Sequence, residues 1–436
     1  MEQNSLTQKL FHLKERGTDF KTEIIAGITT FMTMSYILAV NPDILSQAGM
    51  DKGGVFTASI ISAVIATLIM ALYANLPFGL APGMGLNAFF TYTVVMQLGK
   101  SFEFALTAVF LEGILFIILS LLGIREAIFN AIPVVLKKAV SVGIGIFIAE
   151  IGLLNAGILA VGDNSLVLGD LLNSKTFVFA FGLILMAVLS ARKVKGALLF
   201  GIILSTIVAI IAGVTDLPHK IIELPPSLSK VSFKLQFDNI LSLEMFSIMF
   251  TFLFVDLFDT VGTLTGVAAK ANLLDENGKL EDSGKALFAD AIGTTFGAIL
   301  GTSTVTTFVE SASGVAEGGR TGLTALSTSV CFLISLLLFP LFSIIPSQAT
   351  AAALVMVGLF MMSPILDINF NDFTESFPAF ITIIMMPLSY SIAEGISFGI
   401  ISYALIKLFT GRAKEVSALV YILAIVFILR ILLPLF

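Results

Sequence analysis

Ionisable side chains are scarce in this 436-residue chain, and several of them stand inside long apolar runs. Asp256 and Asp259 lie in Phe252-Leu253-Phe254-Val255-Asp256-Leu257-Phe258-Asp259-Thr260-Val261-Gly262-Thr263, at a spacing of three that puts both on one helix face. Glu310 follows a hydroxyl-rich stretch, Gly301-Thr302-Ser303-Thr304-Val305-Thr306-Thr307, and precedes Ser311-Ala312-Ser313-Gly314. An ionised carboxylate in hydrocarbon is costly, so an acid inside a membrane span needs a partner, a proton or a ligand. Asp259 and Glu310 are read as ligand-binding acids, against structural roles such as capping a broken helix or pairing with Arg320. Asp256 can tune its neighbour's proton affinity. Glu112, Glu150 and Asp290 read as inter-helix hydrogen-bonding groups, and Glu394, near a helix start, as a complement to the helix dipole.

Carboxyl groups must also carry any proton traffic. The two histidines, His12 and His219, lie in the N-terminal segment and an external loop, so neither relays protons through the core. Glu310, Asp259 and Asp256 are therefore the proton-coupling candidates. Burial raises a carboxyl group's proton affinity, and a substrate that donates hydrogen bonds to it alters that affinity, which links substrate to proton. A sodium ion held by nearby Thr, Asn and carbonyl oxygens is the other coupling ion the residues allow. No resident cofactor or metal is expected. Cys331 stands alone in an apolar run, which excludes an intramolecular disulfide and a multi-cysteine metal site.

The elements that must position these groups are membrane spans. Apolar residues make up 57% of the chain and charged ones 12%, with mean hydropathy +1.02, which excludes a water-soluble fold. Apolar stretches between polar breaks give seven candidate spans between residues 22 and 213 and seven between 240 and 409, with 418–436 left over as an extra helix. With the N-terminus cytoplasmic, Arg125, Lys137, Lys138, Arg192, Lys193, Lys195, Lys270, Lys279, Lys285, Arg320, Lys407, Arg412 and Lys414 gather on the cytoplasmic side, as the positive-inside rule asks. Lys52, Lys100, Lys175, Lys220, Lys230 and Lys234 fall outside. The polar first 21 residues lack a cleavable leader pattern, so the first span reads as a retained anchor. A net charge of −6 with no basic cluster gives no reason to expect nucleic acid.

The two sets of spans resemble one another. Phe56-Thr57-Ala58-Ser59-Ile60 matches Phe288-Ala289-Asp290-Ala291-Ile292, and Phe200-Gly201-Ile202-Ile203 matches Phe398-Gly399-Ile400-Ile401. Seven is odd, so the second copy enters from the opposite side and the plan is an inverted repeat: residues 1–214, then 215–415, then the extra helix 416–436. Such a plan places a substrate at mid-membrane on helices broken in equivalent places. The third span, with Leu80-Ala81-Pro82-Gly83-Met84-Gly85-Leu86-Asn87, and the tenth, with 301–314, both read as a short extended piece leading into a half-helix.

Ala81-Pro82-Gly83-Met84-Gly85-Leu86-Asn87-Ala88-Phe89-Phe90, Asn41-Pro42 closing the first span, Phe258-Asp259-Thr260-Val261-Gly262-Thr263 and Glu310-Ser311-Ala312-Ser313-Gly314 resemble the azaguanine-type purine permeases of the nucleobase-cation symporter (xanthine/uracil permease) superfamily. The resemblance covers essentially the whole chain. It implies an all-α polytopic membrane protein of about fourteen transmembrane segments, a 7+7 inverted repeat split into core and gate domains, with short strands in the third and tenth spans. It implies a plasma-membrane importer of hypoxanthine, guanine or adenine, coupled to protons and working by alternating access, with a homodimer allowed. Carried over by position, the substrate-binding residues are Asp259, Glu310, Asn87 and Gly85. The wider superfamily has Asn after the tenth-span acid and Gly two residues later; here Ser311 follows and Gly314 is one place farther on, which fits the azaguanine branch.

The chemistry of the residues agrees. A purine base is flat, uncharged and rimmed with N–H donors and acceptors, which two carboxylates and Asn87 can meet. An anion carrier of the sulfate or bicarbonate type shares the architecture, but Asp259 and Glu310 would repel its substrate. An intramembrane magnesium-dependent prenyltransferase would use the Asp256-Leu257-Phe258-Asp259 spacing and a second acidic cluster, for which Asp367 and Asp372 are nearest. A seven-plus-seven symmetry has no part in that chemistry, so no enzyme is expected.

Overall fold

The computed structural model describes residues 6–122, 132–162, 166–218, 220–238, 240–271, 273, 280 and 283–432; Arg125, His219, Lys279, the Lys270 side chain and residues 433–436 lie outside this description. Apolar runs become helices because hydrocarbon offers no partner for backbone N–H and C=O groups. Among the described residues, 8 helices are long and apolar enough to cross a bilayer, and shorter apolar helices join them at Ala197–Ile211, Phe373–Leu388 and Ala418–Leu429.

The first apolar run holds α1 (Phe20–Met34) and α2 (Ile37–Gln47), separated by a turn at Ser35 and Tyr36. The expectation that Asn41-Pro42 closes this span is not met, because the helix runs through Pro42 to Gln47. Pro42 has no N–H for the Leu38 carbonyl, and the chain tightens into three-residue turns just ahead of it, Leu38 to Ser35 and Ala39 to Tyr36, both at 3.1 Å. Next come α3 (Lys52–Ile69) with a π-helical end at Met70–Ala74, β1 (Leu80–Pro82), α4 (Met84–Ala88) running into π-helical Phe89–Gln97, and α5 (Phe102–Leu121). Helix α6 (Val134–Asn155), the hairpin β2 (Leu159–Val161) and β3 (Leu166–Leu168), α7 (Ser174–Ala191) and α8 (Ala197–Ile211) complete the first half. The second half contains α9 (Leu243–Ala271), α10 (Ser283–Leu300), β4 (Val305–Thr307), α11 (Ser311–Ala316), α12 (Gly322–Ser335), α13 (Ser347–Met361), α14 (Phe373–Leu388), α15 (Ile392–Phe409) and α16 (Ala418–Leu432).

The chain forms two compact units, one combining Met1–Leu121 with Gly152–Met356, the other Leu122–Ile151 with Val357–Phe436. In the first, α5 packs on α10, and α12 packs on α1 and α3. The approach of α1 to α12 requires Gly27, where an added side-chain carbon would fall 2.5 Å from the Thr324 carbonyl oxygen. Glu23, fully buried on α1, accepts from the backbone N–H groups of Arg320 at 2.8 Å and Thr324 at 3.0 Å and from the Thr324 hydroxyl at 2.6 Å. It closes the N-terminus of α12 together with the local Thr321 cap.

At the centre of this unit β1 and β4 pair antiparallel, Leu80 opposite Thr307, Ala81 opposite Thr306 and Pro82 opposite Val305. Gly83 N–H to Thr304 O at 2.9 Å and Phe308 N–H to Gly79 O at 3.0 Å extend the pairing at either end. The outer edge of each strand is met by a helix hydroxyl. Thr67 of α3 accepts from Leu80 N–H at 3.0 Å and donates to Leu80 O at 3.1 Å. Thr294 of α10 accepts from Val305 N–H at 3.2 Å and donates to Val305 O at 3.0 Å. The same device is used twice, once on each strand.

In the second unit α14 packs on α15, and α16 lies along α15. Lys407 of α15 is fully buried, with its ammonium 2.7 Å from Glu415 and 3.8 Å from Glu375. In the loops flanking these helices Arg412 donates to Asp372 and to Glu415, each at 2.7 Å. The Arg412 guanidinium holds the Asp372 carboxyl down at about 2, and Arg412 with Lys407 does the same for Glu415, also about 2.

Candidate functional site

The β1–β4 pair aims two broken spans at one another and brings side chains from distant elements around the break. Asp259 is half-buried on α9; its carboxyl group interacts with the Thr306 hydroxyl of β4 and lies within electrostatic range of the carboxyl groups of Glu310 and Asp290. Glu310 is half-buried in the turn between β4 and α11. Its Oε1 accepts the Tyr36 hydroxyl at 2.7 Å, and its backbone oxygen accepts the Thr33 hydroxyl at 3.3 Å. The two acids singled out from the sequence therefore lie in one region of the fold, and the turn between α1 and α2 borders it. The Arg320 guanidinium donates instead to the carbonyl oxygens of Val315 and Gly319, both at 2.7 Å, so Tyr36 takes the place at Glu310 for which Arg320 was the sequence candidate.

Asp256, three residues earlier on α9, is the more deeply buried of the two and also lies toward Asp290. It is fully buried and accepts the Thr260 hydroxyl at 2.9 Å, and the same hydroxyl lies 3.1 and 3.2 Å from the two oxygens of buried Asp290 on α10. Glu112 of α5, also fully buried, accepts the Thr304 hydroxyl at 2.8 Å, so its partner is the segment leading into β4 and not the neighbouring helix expected for it. Glu150 belongs to the second compact unit.

Asn87 is fully buried on α4 and its carbonyl oxygen accepts the Ser303 hydroxyl, which ties the third-span break to the segment leading into β4. Its amide nitrogen lies 4.0 Å from the Met84 sulfur. Gly85 is buried two residues earlier on the same short helix. Asn41 reaches the same region, donating to Ser59 at 2.6 Å and Thr302 at 3.0 Å. Among the described residues no group of three or more His, Cys, Asp and Glu side chains could hold a metal ion. Asp372, a candidate for a second acidic cluster, is engaged by Arg412.

Chemically, the site offers two carboxyl groups, each met by one hydroxyl. A carboxylate has about four acceptor positions, so each retains capacity for an N–H donor. Tyr36 is the residue the sequence reading passes over. A lone tyrosine in an apolar span carries no spacing signal, but the hydroxyl run Thr29, Thr30, Thr33, Ser35 ahead of it marks a polar face on the first span.

Residues 21–398 match the model of the Permease family, Xan_ur_permease. The chain belongs to this family. The adenine permease AdeP of Escherichia coli is 41% identical to this permease over 428 residues, 98% of this chain and 96% of that one. The guanine/hypoxanthine permease PbuO of Bacillus subtilis is 44% identical over 434 residues, 97% and 99% of the two chains. Among solved structures, the transmembrane domain of the cyanobacterium bicarbonate transporter BicA is similar with a TM-score of 0.67 at 17% identity, covering 86% of this chain and 97% of that one, a likeness of fold. The permease is a multi-pass membrane transport protein and not an enzyme.

Proposed function

We propose that the permease imports purine nucleobases, hypoxanthine, guanine or adenine, across the plasma membrane by proton symport and alternating access, with its N-terminus in the cytoplasm. The observation that carries this reading is the convergence of Asp259 and Glu310 on one site beside the β1–β4 crossing. Two carboxyl groups suit an uncharged planar ligand with N–H groups on its rim, and relatives named for adenine and for guanine/hypoxanthine support that choice. Asp259 and Glu310 accept the N–H groups, Gly85 lets the chain approach the ligand closely, and Asn87 completes the polar contacts. Proton coupling is assigned to Glu310 and Asp259, with Asp256 tuning them through its place beside Asp290. The chain is taken as fourteen spans in two inverted repeats, 1–214 and 215–415, followed by the helix from 416, with a core domain moving against a gate domain and a homodimer as the assembly.

The test is uptake of radiolabelled hypoxanthine, guanine and adenine in cells lacking their own purine carriers. Uptake competed by unlabelled base and collapsed by a protonophore is expected. Uptake of sulfate or bicarbonate with no effect of any purine would favour the anion-carrier reading, which the fold likeness to BicA keeps in view.

A further inference from the structure

We infer that Tyr36 is the positioning residue for Glu310, presenting that carboxyl group to the substrate in a fixed orientation. The inference rests on the purine-transport reading above and assigns a role to a residue that the sequence motifs leave out. Tyr36 sits at the break in the first span, in the turn between α1 and α2, where the backbone leaves the regular helix. That break directs its side chain toward the tenth-span turn. The residue is 1% exposed, and its hydroxyl donates to Glu310 Oε1 at 2.7 Å.

Three features make this more than a chance contact. A buried tyrosine hydroxyl needs a partner, and here the partner is one oxygen of a binding-site acid. The Thr33 hydroxyl, three residues earlier, lies 2.9 Å from Thr30 O, 3.2 Å from Thr29 O and 3.3 Å from Glu310 O, so the same stretch of the first span lines both the main chain and the side chain of Glu310. The Tyr36 ring also lies beside Phe308, ring centroids 6.5 Å apart, which fixes the ring that carries the hydroxyl. With one acceptor position taken by Tyr36 and another by the Glu310 backbone N–H, the carboxyl group keeps about two of its four for N–H donors of the base. Asp259 is met by the Thr306 hydroxyl in a parallel way. The ligand thus encounters two carboxyl groups whose rotation is already restricted, and less ordering is required when it binds.

The experiment is a double-mutant cycle on the purified full-length protein and in cells, using hypoxanthine as probe. Tyr36→Phe removes one oxygen and keeps the ring. It is expected to raise the KM for uptake and the Kd for binding by about tenfold, the scale of a hydrogen bond to a charged group, with the maximal rate per transporter kept within about twofold. Tyr36→Phe placed on Glu310→Ala is expected to add nothing further to Kd, because the acceptor that Tyr36 holds is then gone. Wild-type KM in Tyr36→Phe, or effects of the two substitutions on Kd that multiply, would overturn the assignment. Loss of the Tyr36→Phe protein from the membrane would overturn it too, since the hydroxyl would then serve folding. Wild-type protein that binds no purine would instead refute the transport reading, an outcome distinguishable because it appears before any substitution is made.

Discussion

A hydroxyl group has one proton to give, and in this permease that proton decides how several buried acids are held. Tyr36 gives its proton to Glu310, while Thr260 has two buried carboxyl groups within reach, Asp256 and Asp290, and can serve only one of them at a time. Thr260→Val is therefore expected to lower stability by about 1–3 kcal/mol, read by thermal unfolding in detergent, and an unchanged midpoint would mean that the hydroxyl is not used. Asp259→Ala and Glu310→Ala should each abolish base uptake while protein remains in the membrane; normal uptake in either removes that residue from the site. Asn87 shares its carbonyl oxygen with Ser303, so Asn87→Ala and Ser303→Ala should change the competition profile among hypoxanthine, guanine and adenine in the same direction. Two unrelated profiles would show that Asn87 acts without Ser303.

Between residues and bundle lie the elements, and here the mirrored threonines carry the clearest expectation. Thr67 and Thr294 each satisfy both backbone groups of one strand residue, Leu80 and Val305. Thr67→Val or Thr294→Val leaves a buried N–H and C=O unpaired and should cost about 1–3 kcal/mol by thermal unfolding, with similar losses at the two positions. A loss at one position only would mean that the halves do not share the load. Much of this level was legible from sequence. Gly and Pro in an apolar run announced the third-span break, a hydroxyl-rich stretch announced the tenth, and the two do form short strands. The end of the first span was misread because Pro42 looks like a terminator, whereas tight turns ahead of it let the helix continue. Tyr36 was illegible for a related reason. Its importance comes from a contact with a residue more than two hundred positions away, and local spacing holds no record of such a contact. The partners of Asp256 and Asp259 were hidden in the same way, since Asp290 and Thr306 lie far from them in sequence.

For the molecule as a whole, the ionic cluster of the second unit sets an acid limit. The ordinary values of 3.8 and 4.5 for Asp372 and Glu415 both fall to about 2 beside Arg412. Groups held below their unfolded values stabilise the fold above those values, and the contribution disappears as pH drops through the folded ones. The gap in unfolding midpoint between wild type and Arg412→Gln should therefore stay constant from about pH 5 to 8 and close between about pH 4.5 and 2. A gap that varies with pH near neutrality would point to a different group. The composition made the membrane class plain from the outset, because a chain this apolar and this poor in charge has no soluble solution. The division into two interleaved units was not legible, since each is assembled from separate stretches of chain whose packing partners are not neighbours in sequence.

The pairing of Pro82 with Val305 also sets a clock for biosynthesis. About 220 residues separate the two strands, so at about 5–20 residues per second the ribosome delivers the second one roughly 10–45 s after the first. Throughout that interval the nascent first half sits in the bilayer with β1 open on the side that β4 will occupy. Whatever shields that unpaired backbone, translocon or lipid-bound water, must let go when residue 305 arrives, and a polypeptide halted before that point would leave the β1–β4 pair unmade.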